Sequence, residues 1–323
     1  MRVFMNIKYI IILLGEPNST FSEILGKFFK KNKNKRKKII IIGSHELLKK
    51  QLKKLKLQFY LKKINTIEEA EFNNPNIIDI NLKFKKAFGR ISESSNEYIN
   101  QCFKHALDLM RKDNKKFALI NGPVSKKTFL KKKYLGITEY LSKKSKSKNE
   151  VMLIYNRELS VSPLTTHLPI KNVTKNISKE KIVNSAKKIN NFYRNILKKS
   201  PKIAVLGLNP HCETINKISE EEKIIVPAIN FLKKNKIRIY GPFSADTFFL
   251  KENIRKYDVV IGMYHDQVLT PIKTLYNFNA INITLGLPFI RISPDHGPNH
   301  KMLGKNISDP SSFIYAMKFL NKL

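Results

Sequence analysis

Residues 257–312 read YDVVIGMYHDQVLTPIKTLYNFNAINITLGLPFIRISPDHGPNHKMLGKNISDPSS. The run VVIGM ends just before His265 and Asp266, and Asn282 and Thr284 alternate with Ile281, Ile283 and Leu285. A period of two is how a strand sends successive side chains to opposite faces. Polar, chemistry-bearing groups therefore stand where strands finish. In open α/β sheets ligands bind outside the carboxyl ends of the strands, so this stretch points to an enzyme acting on a small molecule rather than to a packing module.

Outward from it, apolar β-branched runs recur: YIIILL, KIIIIG at Lys38 to Gly43, NIIDIN, FALING, VMLIYN and KIAVLGLN. Most read as strands buried on both faces. Helical patterns lie between them. Tyr98, Cys102, Ala106, Leu109 and Met110 stripe one segment, and Ile182, Ala186, Ile189, Tyr193 and Ile196 another. Ser219-Glu220-Glu221-Glu222 has the capping-box pattern, so a helix should start behind the loop that carries His211. Strands alternating with helices predict a doubly wound α/β architecture. No GxGxxG follows a strand, so a nicotinamide cofactor would not bind in the usual Rossmann manner.

With 323 residues and 42% hydrophobic content, the chain has material for two domains. KKSKSKN at 143–149 is the best candidate for a mobile surface loop. A formal charge of +36 raises nucleic acid or an anionic membrane as partners. The lysines, however, are scattered through KKNKNKRKK, KKLKLQFYLKK and SKKSKSKN without a recognised nucleic-acid motif or aromatic platform. We read them as a compositional drift over solvated faces, and expect no membrane and no specific nucleic acid. A basic nucleic-acid-binding protein on an enzyme fold is the competing reading. Cys102 and Cys212 have no disulfide or CxxC spacing, which fits a reducing cytoplasm. YIIILL is short and stops at Gly15-Glu16-Pro17 instead of a cleavage site, as a first strand would.

His167 in LTTHLPI, His211 in LGLNPHCE and His265 in GMYHDQ each end or follow a strand-like run. Singly, each is more often a hydrogen-bonded structural residue. Imidazoles from three separate strand ends, with coordination positions left open, suit a catalytic Zn²⁺ or a related divalent ion.

GPVSKKTF (122–129), TTHLP (165–169), GLNPH (207–211), GPFSADT (241–247), MYHDQ (263–267), NITLGLPFIR (282–291) and DHG (295–297), together and in order, resemble the 4-hydroxythreonine-4-phosphate dehydrogenase family of pyridoxal phosphate biosynthesis. The likeness runs from about residue 118 to the C-terminus. The first hundred residues match loosely, chiefly at Gly15-Glu16-Pro17.

The resemblance implies two α/β/α domains with a cleft between them, of isocitrate/isopropylmalate dehydrogenase type. One domain would be 1–125 with 290–323 and carry the cofactor loop. The other, 126–289, would carry metal, substrate residues and the dimer interface. It further implies His167, His211 and His265 as metal ligands, drawn from both subunits of a homodimer. Thr138, Lys273, Asn282 and Arg291 match substrate-binding positions; Asp246, Asp266 and Lys273 are the catalytic candidates. NAD or NADP would lie against Asp295, His296, Gly297 and Gly304, and the ion would be Zn, Mg or Co. The reaction implied is oxidation of 4-phosphohydroxy-L-threonine to 2-amino-3-oxo-4-(phosphooxy)butanoate, which decarboxylates to 3-amino-2-oxopropyl phosphate.

Elementary chemistry agrees with these residue types. A divalent ion stabilises alkoxide character as hydride leaves a secondary alcohol. A substrate phosphate calls for fixed cations and hydroxyl donors, with Arg able to bind two oxygens at once. Departures from the family pattern stand at Ile137, where Gly-His-Thr-Glu is usual, at Ser125 in place of the His of GPVHK, and at 18–21. They motivate an alternative substrate, another four-carbon hydroxy acid phosphate such as threonate or erythronate 4-phosphate.

Overall fold

The computed structural model describes residues 6–323 apart from 33–35, 132, 135, 214–218, 278 and 295–296. The chain forms two compact units: a terminal unit of the residues up to Ser147 with Leu287–Leu323, and a middle unit, Lys148–Gly286. Strands run β1 (Tyr9–Leu13), β2 (Lys38–Gly43), β3 (Lys62–Ile64), β4 (Asn76–Asp79) and β5 (Phe117–Asn121). The middle unit holds β6 (Val151–Tyr155), β7 (Ser160–Thr165), β8 (Ile203–Leu206), β9 (Ile239–Phe243), β10 (Val259–Tyr264) and β11 (Ile281–Leu285); β12 (Ile290–Ser293) follows it.

Within the terminal unit the order is β3-β4-β2-β1-β5-β12, all parallel. Parallel sheets are covered on both faces, which is why the YIIIL and KIIIIG runs carry no polar alternation. Helices α1 (Phe21–Lys31), α2 (His45–Leu55) and α3 (Asn96–Lys112) supply that cover. The α3 stripe buries Tyr98, Cys102, Phe103, Ala106 and Met110 against strand residues such as Ile11, Ile40 and Leu119. Helix α4 (Ile137–Lys144) belongs to the same core.

That placement differs from the division expected from sequence at 125/126 and 289/290. Segment 126–147 stays with the first unit because Phe103, Phe129 and Tyr140 form an aromatic cluster, with Phe103–Tyr140 and Phe129–Tyr140 centroids both 5.3 Å apart. Phe289 joins the same core, which moves the second crossing to 286/287.

The middle unit has the order β11-β6-β7-β10-β8-β9. Its first two pairings are antiparallel and the last three parallel. Helix α5 (Lys179–Asn195) turns Ile182, Ala186, Ile189 and Tyr193 inward, leaving Ile196 just beyond its end. Ser219 accepts from the Glu222 N–H at 3.2 Å, so the expected cap is made, and a π-turn at Glu221–Ile225 leads into α6 (Val226–Lys234). Short helices α7 (Ala245–Phe248) and α8 (Lys251–Ile254) precede α9 (His265–Tyr276); α10 (Ser311–Leu320) closes the terminal unit. Among the described residues no helix is long and apolar enough to cross a membrane, and both cysteines are free.

Candidate active site

The parallel neighbours β7, β10, β8 and β9 each lead at their carboxyl ends into a segment that carries one of the expected groups. His167 follows β7, His265 and Asp266 open α9 directly after β10, His211 follows β8, and Asp246 follows β9. Strand order thus lines the groups along one sheet edge as His167, His265, His211, Asp246, at the carboxyl ends where α/β sheets bind ligands.

Neighbours on that edge make pairs. The His167 and His265 rings lie 5.9 Å apart between centroids. His265 Nδ1 is 2.6 Å from Asp266 Oδ1. Which of the two atoms donates depends on the imidazole tautomer; the tautomer with the proton on Nδ1 would leave Nε2 able to bind an ion. His211 Nδ1 lies 3.8 Å from Asp246 Oδ2. The Ser244 hydroxyl, ahead of the Thr247 N–H and His211, holds the Asp246 carboxyl below the usual range.

Backbone strain accompanies the placement. His167 has φ 33° and His211 φ 54°, followed by Cys212 at 62°. Left-handed backbone costs a non-glycine residue about 1–2 kcal/mol, and such strain concentrates at functional sites. His211 is also 74% exposed and Asp266 76%, so these groups do not hold the core together.

The donor set was tested against a divalent ion. Zinc about 2.1 Å from each ring nitrogen keeps two imidazole centroids within roughly 6.5 Å, which the His167–His265 pair satisfies. Among the described residues no three of His, Cys, Asp and Glu gather into one metal-holding group. One chain therefore offers two neighbouring imidazoles and, one strand further along, a third imidazole facing a carboxylate. This is a fitting but incomplete set. Asn282 sits on β11 with its Oδ1 buried and without a hydrogen-bond partner among the described residues, and Lys273 is exposed on the last turn of α9.

The anion-binding candidates of the terminal unit are arranged differently. Arg291, on β12, is only 1% exposed. Its Nε donates to Asn121 Oδ1 at 2.7 Å and its Nη1 to Thr138 Oγ1 at 3.2 Å. Burial lowers its pKa to about 10, partly offset by the Glu139 carboxylate. Thr138 stands in the first turn of α4, and Ile137 beside it packs on the apolar core. Ser125 caps its turn by accepting from the Thr128 N–H at 3.2 Å. Gly304 has φ 74° with Phe88 at its back, and Gly297 is partly open. Asp295 and His296 lie outside the described residues.

Sequence reasoning missed Asn121, Glu221 and Gln267. Asn121 ends FALIN, so it carried the same signal of a polar group at a strand end. Gln267 and Glu221 lie at helix starts, where capping already explains them.

The family profile described as "Pyridoxal phosphate biosynthetic protein PdxA" matches residues 35–320. The chain belongs to this family. A curated relative from Sulfurihydrogenibium sp. (strain YO3AOP1), named 4-hydroxythreonine-4-phosphate dehydrogenase, is 38% identical over 95% of each chain. A Salmonella typhimurium relative named D-threonate 4-phosphate dehydrogenase is 30% identical over 99% of this chain and all of that one. A crystal structure of the 4-hydroxythreonine-4-phosphate dehydrogenase from Klebsiella pneumoniae superposes with TM-score 0.84 at 26% identity, covering 97% of this chain and 99% of that one. Isocitrate dehydrogenase from Methylococcus capsulatus shares the fold at TM-score 0.51 and 9% identity, over 98% and 86% of the two chains.

Proposed function

We propose that the chain is an NAD(P)-dependent, divalent-metal-dependent dehydrogenase that oxidises 4-phosphohydroxy-L-threonine, the β-keto acid product decarboxylating to 3-amino-2-oxopropyl phosphate. The observation that carries the metal chemistry is the alignment of three histidine loops at the carboxyl ends of adjacent parallel strands. The relatives' names supply the substrate. His167, His265 and His211 would hold the ion, which when bound would supply Lewis-acid stabilisation of negative charge on the substrate.

The chain's own residues do the rest. Asp246 and Asp266 orient their imidazoles and, with Lys273, are the groups assigned to proton handling. Substrate recognition falls to Thr138, Lys273, Asn282 and Arg291; Asn121 and Arg291 hold the Thr138 hydroxyl in place. The cofactor would lie against the loop from Asp295 and His296 through Gly297 to Gly304, in the terminal unit. The family resemblance supports a homodimer whose partner completes the donor set, and the two free cysteines fit a reducing cytoplasm. Zn, Mg and Co remain the candidate ions.

A second reading, oxidation of threonate 4-phosphate or erythronate 4-phosphate, is favoured by Ile137, which gives the core an apolar side chain where the family pattern has a histidine. Steady-state kinetics on both substrate types decides. A higher kcat/KM for 4-phosphohydroxy-L-threonine supports the first reading, and a higher value for a substrate lacking the amino group supports the second.

A further inference from the structure

Three polar side chains cross-tie the histidine loops without belonging to the expected metal or substrate set. Thr165, 4% exposed at the end of β7, donates from Oγ1 to Met263 O at 2.7 Å, joining the strand before His167 to the strand before His265. Gln267 accepts from the Met263 N–H at 2.7 Å and donates from Nε2 to Gly207 O at 2.8 Å, joining the His265 strand to the loop of His211. Glu221, 2% exposed on the π-turn, takes over from there. Its Oε1 accepts from the N–H groups of Leu208 (2.7 Å) and Asn209 (2.9 Å), and its Oε2 from Asn209 Nδ2 at 2.9 Å. Burial would raise its pKa, yet those donors hold it below the usual range.

Two glycines make room for this truss. A Cβ on Gly207 would stand 2.6 Å from Cys212 Sγ and 3.0 Å from Glu221 Oε1, and a Cβ on Gly262 would stand closest to Val268 Cγ1 and 3.0 Å from Gln267 Oε1. Neither glycine is among those with positive φ, so clearance, not conformational freedom, is what each supplies. Helix capping accounts for the Gln267 bond to Met263 but not for its bond to Gly207, sixty residues away in sequence. Nor does it account for a carboxylate spending its acceptors on the two residues that precede the strained Pro210-His211 turn.

We propose that Gln267 and Glu221 are positioning residues: with Thr165 they lock the three histidine loops into one geometry and hold His211 in its left-handed conformation for metal binding. The inference rests on the metal reading above. Outer partners of metal ligands typically tune affinity 10–100-fold.

Co²⁺ affinity, read by competition and by the visible spectrum of the bound ion, tests this on the full chain. Glu221→Gln keeps the size but sets an amide N–H₂ against either Asn209 Nδ2 or the two backbone donors. It should weaken Co²⁺ binding at least about 10-fold, while KM for the nicotinamide cofactor stays put. Glu220→Gln removes the same charge from a carboxylate that accepts from the Asn209 side chain and not, among the described residues, from the backbone of the His211 loop, and should change affinity less than about 2-fold. In a His211→Ala background the Glu221→Gln loss should vanish, because residues acting through one another are not additive. Should Glu221→Gln not fold, Gln267→Ala reads the same truss from its other end. Equal effects of the two glutamate variants, or an undiminished loss in the His211→Ala background, overturns the proposal while leaving the metal reading intact. A wild-type protein that takes up no Co²⁺ overturns both.

Discussion

The histidine edge of the middle unit and the Arg291 cluster of the terminal unit solve opposite problems. Along the first, His167 and His211 stand exposed on strained backbone beside half-buried His265 and exposed Asp246 and Asp266, with Thr165, Gln267 and Glu221 tying the segments together. In the second, a guanidinium is buried to 1% exposure and clamped by Asn121 and Thr138. The difference separates groups exposed to a ligand on the surface from a charge that is first fixed by its neighbours. A charge in the second setting meets a substrate only in the orientation that Asn121 and Thr138 give it.

The largest break in that comparison is His265→Ala. It removes one of two neighbouring imidazoles at no cost to the core, so activity should fall by two orders of magnitude or more while the thermal midpoint moves little. Parallel turnover and melting measurements check it. A large loss of stability would place His265 with the buried cluster instead.

Arg291→Lys should do the reverse. The charge survives, but an ammonium cannot reach Asn121 and Thr138 together, and charge-assisted bonds of this kind are worth about 1.5–3 kcal/mol. Denaturant unfolding should show a loss of that order, with kcat/KM reduced through the displaced Thr138. Unchanged stability would mean the clamp is not what holds the guanidinium.

A smaller effect is expected at Glu16, 1% exposed, whose pKa burial raises against the opposing Asn18 bonds. A raised folded-state pKa contributes stability that is present below the ordinary carboxylate value and lost as pH rises through the folded one. Glu16→Gln should therefore melt progressively higher than wild type as pH climbs from the ordinary carboxylate value of 4.5 toward neutrality, and not at the acid end. A difference independent of pH would contradict this assignment.

Ile137→His is the mildest change. On the first substrate reading it should leave turnover intact and lower KM or leave it unchanged, since a bond to a charged group adds at most about 3 kcal/mol. Loss of turnover, with wild type preferring a substrate that lacks the amino group, would favour the second reading.

Legibility of the sequence followed the same divide. Strands buried on both faces announced themselves as apolar runs, and the three histidines stood out because polar groups ended those runs. β7, SVSPLT, is not among the apolar runs because Ser160, Ser162 and Pro163 interrupt it, and only its end before His167 was legible. It is a strand because it pairs in parallel with β10 from Ser160↔Val259 to Thr165↔Tyr264, while the Ser160 and Ser162 hydroxyls donate to Asn156 O and Met152 O. β9, IYGPF, hid behind its Gly-Pro, which an edge strand tolerates. The placement of 126–147 depended on aromatic contacts between segments distant in sequence, which no local pattern encodes. Gln267 and Glu221 were hidden for the same reason: their second bonds cross to other loops.

The central claim is that the histidine edge is the metal centre of a dehydrogenase. Its most direct test is the rate of NADH or NADPH formation from 4-phosphohydroxy-L-threonine by chelator-stripped wild-type enzyme, before and after Co²⁺ is returned. We predict negligible turnover when stripped and recovery on return, with no recovery in His265→Ala. Full turnover by the stripped enzyme, or recovery in His265→Ala equal to wild type, would contradict it.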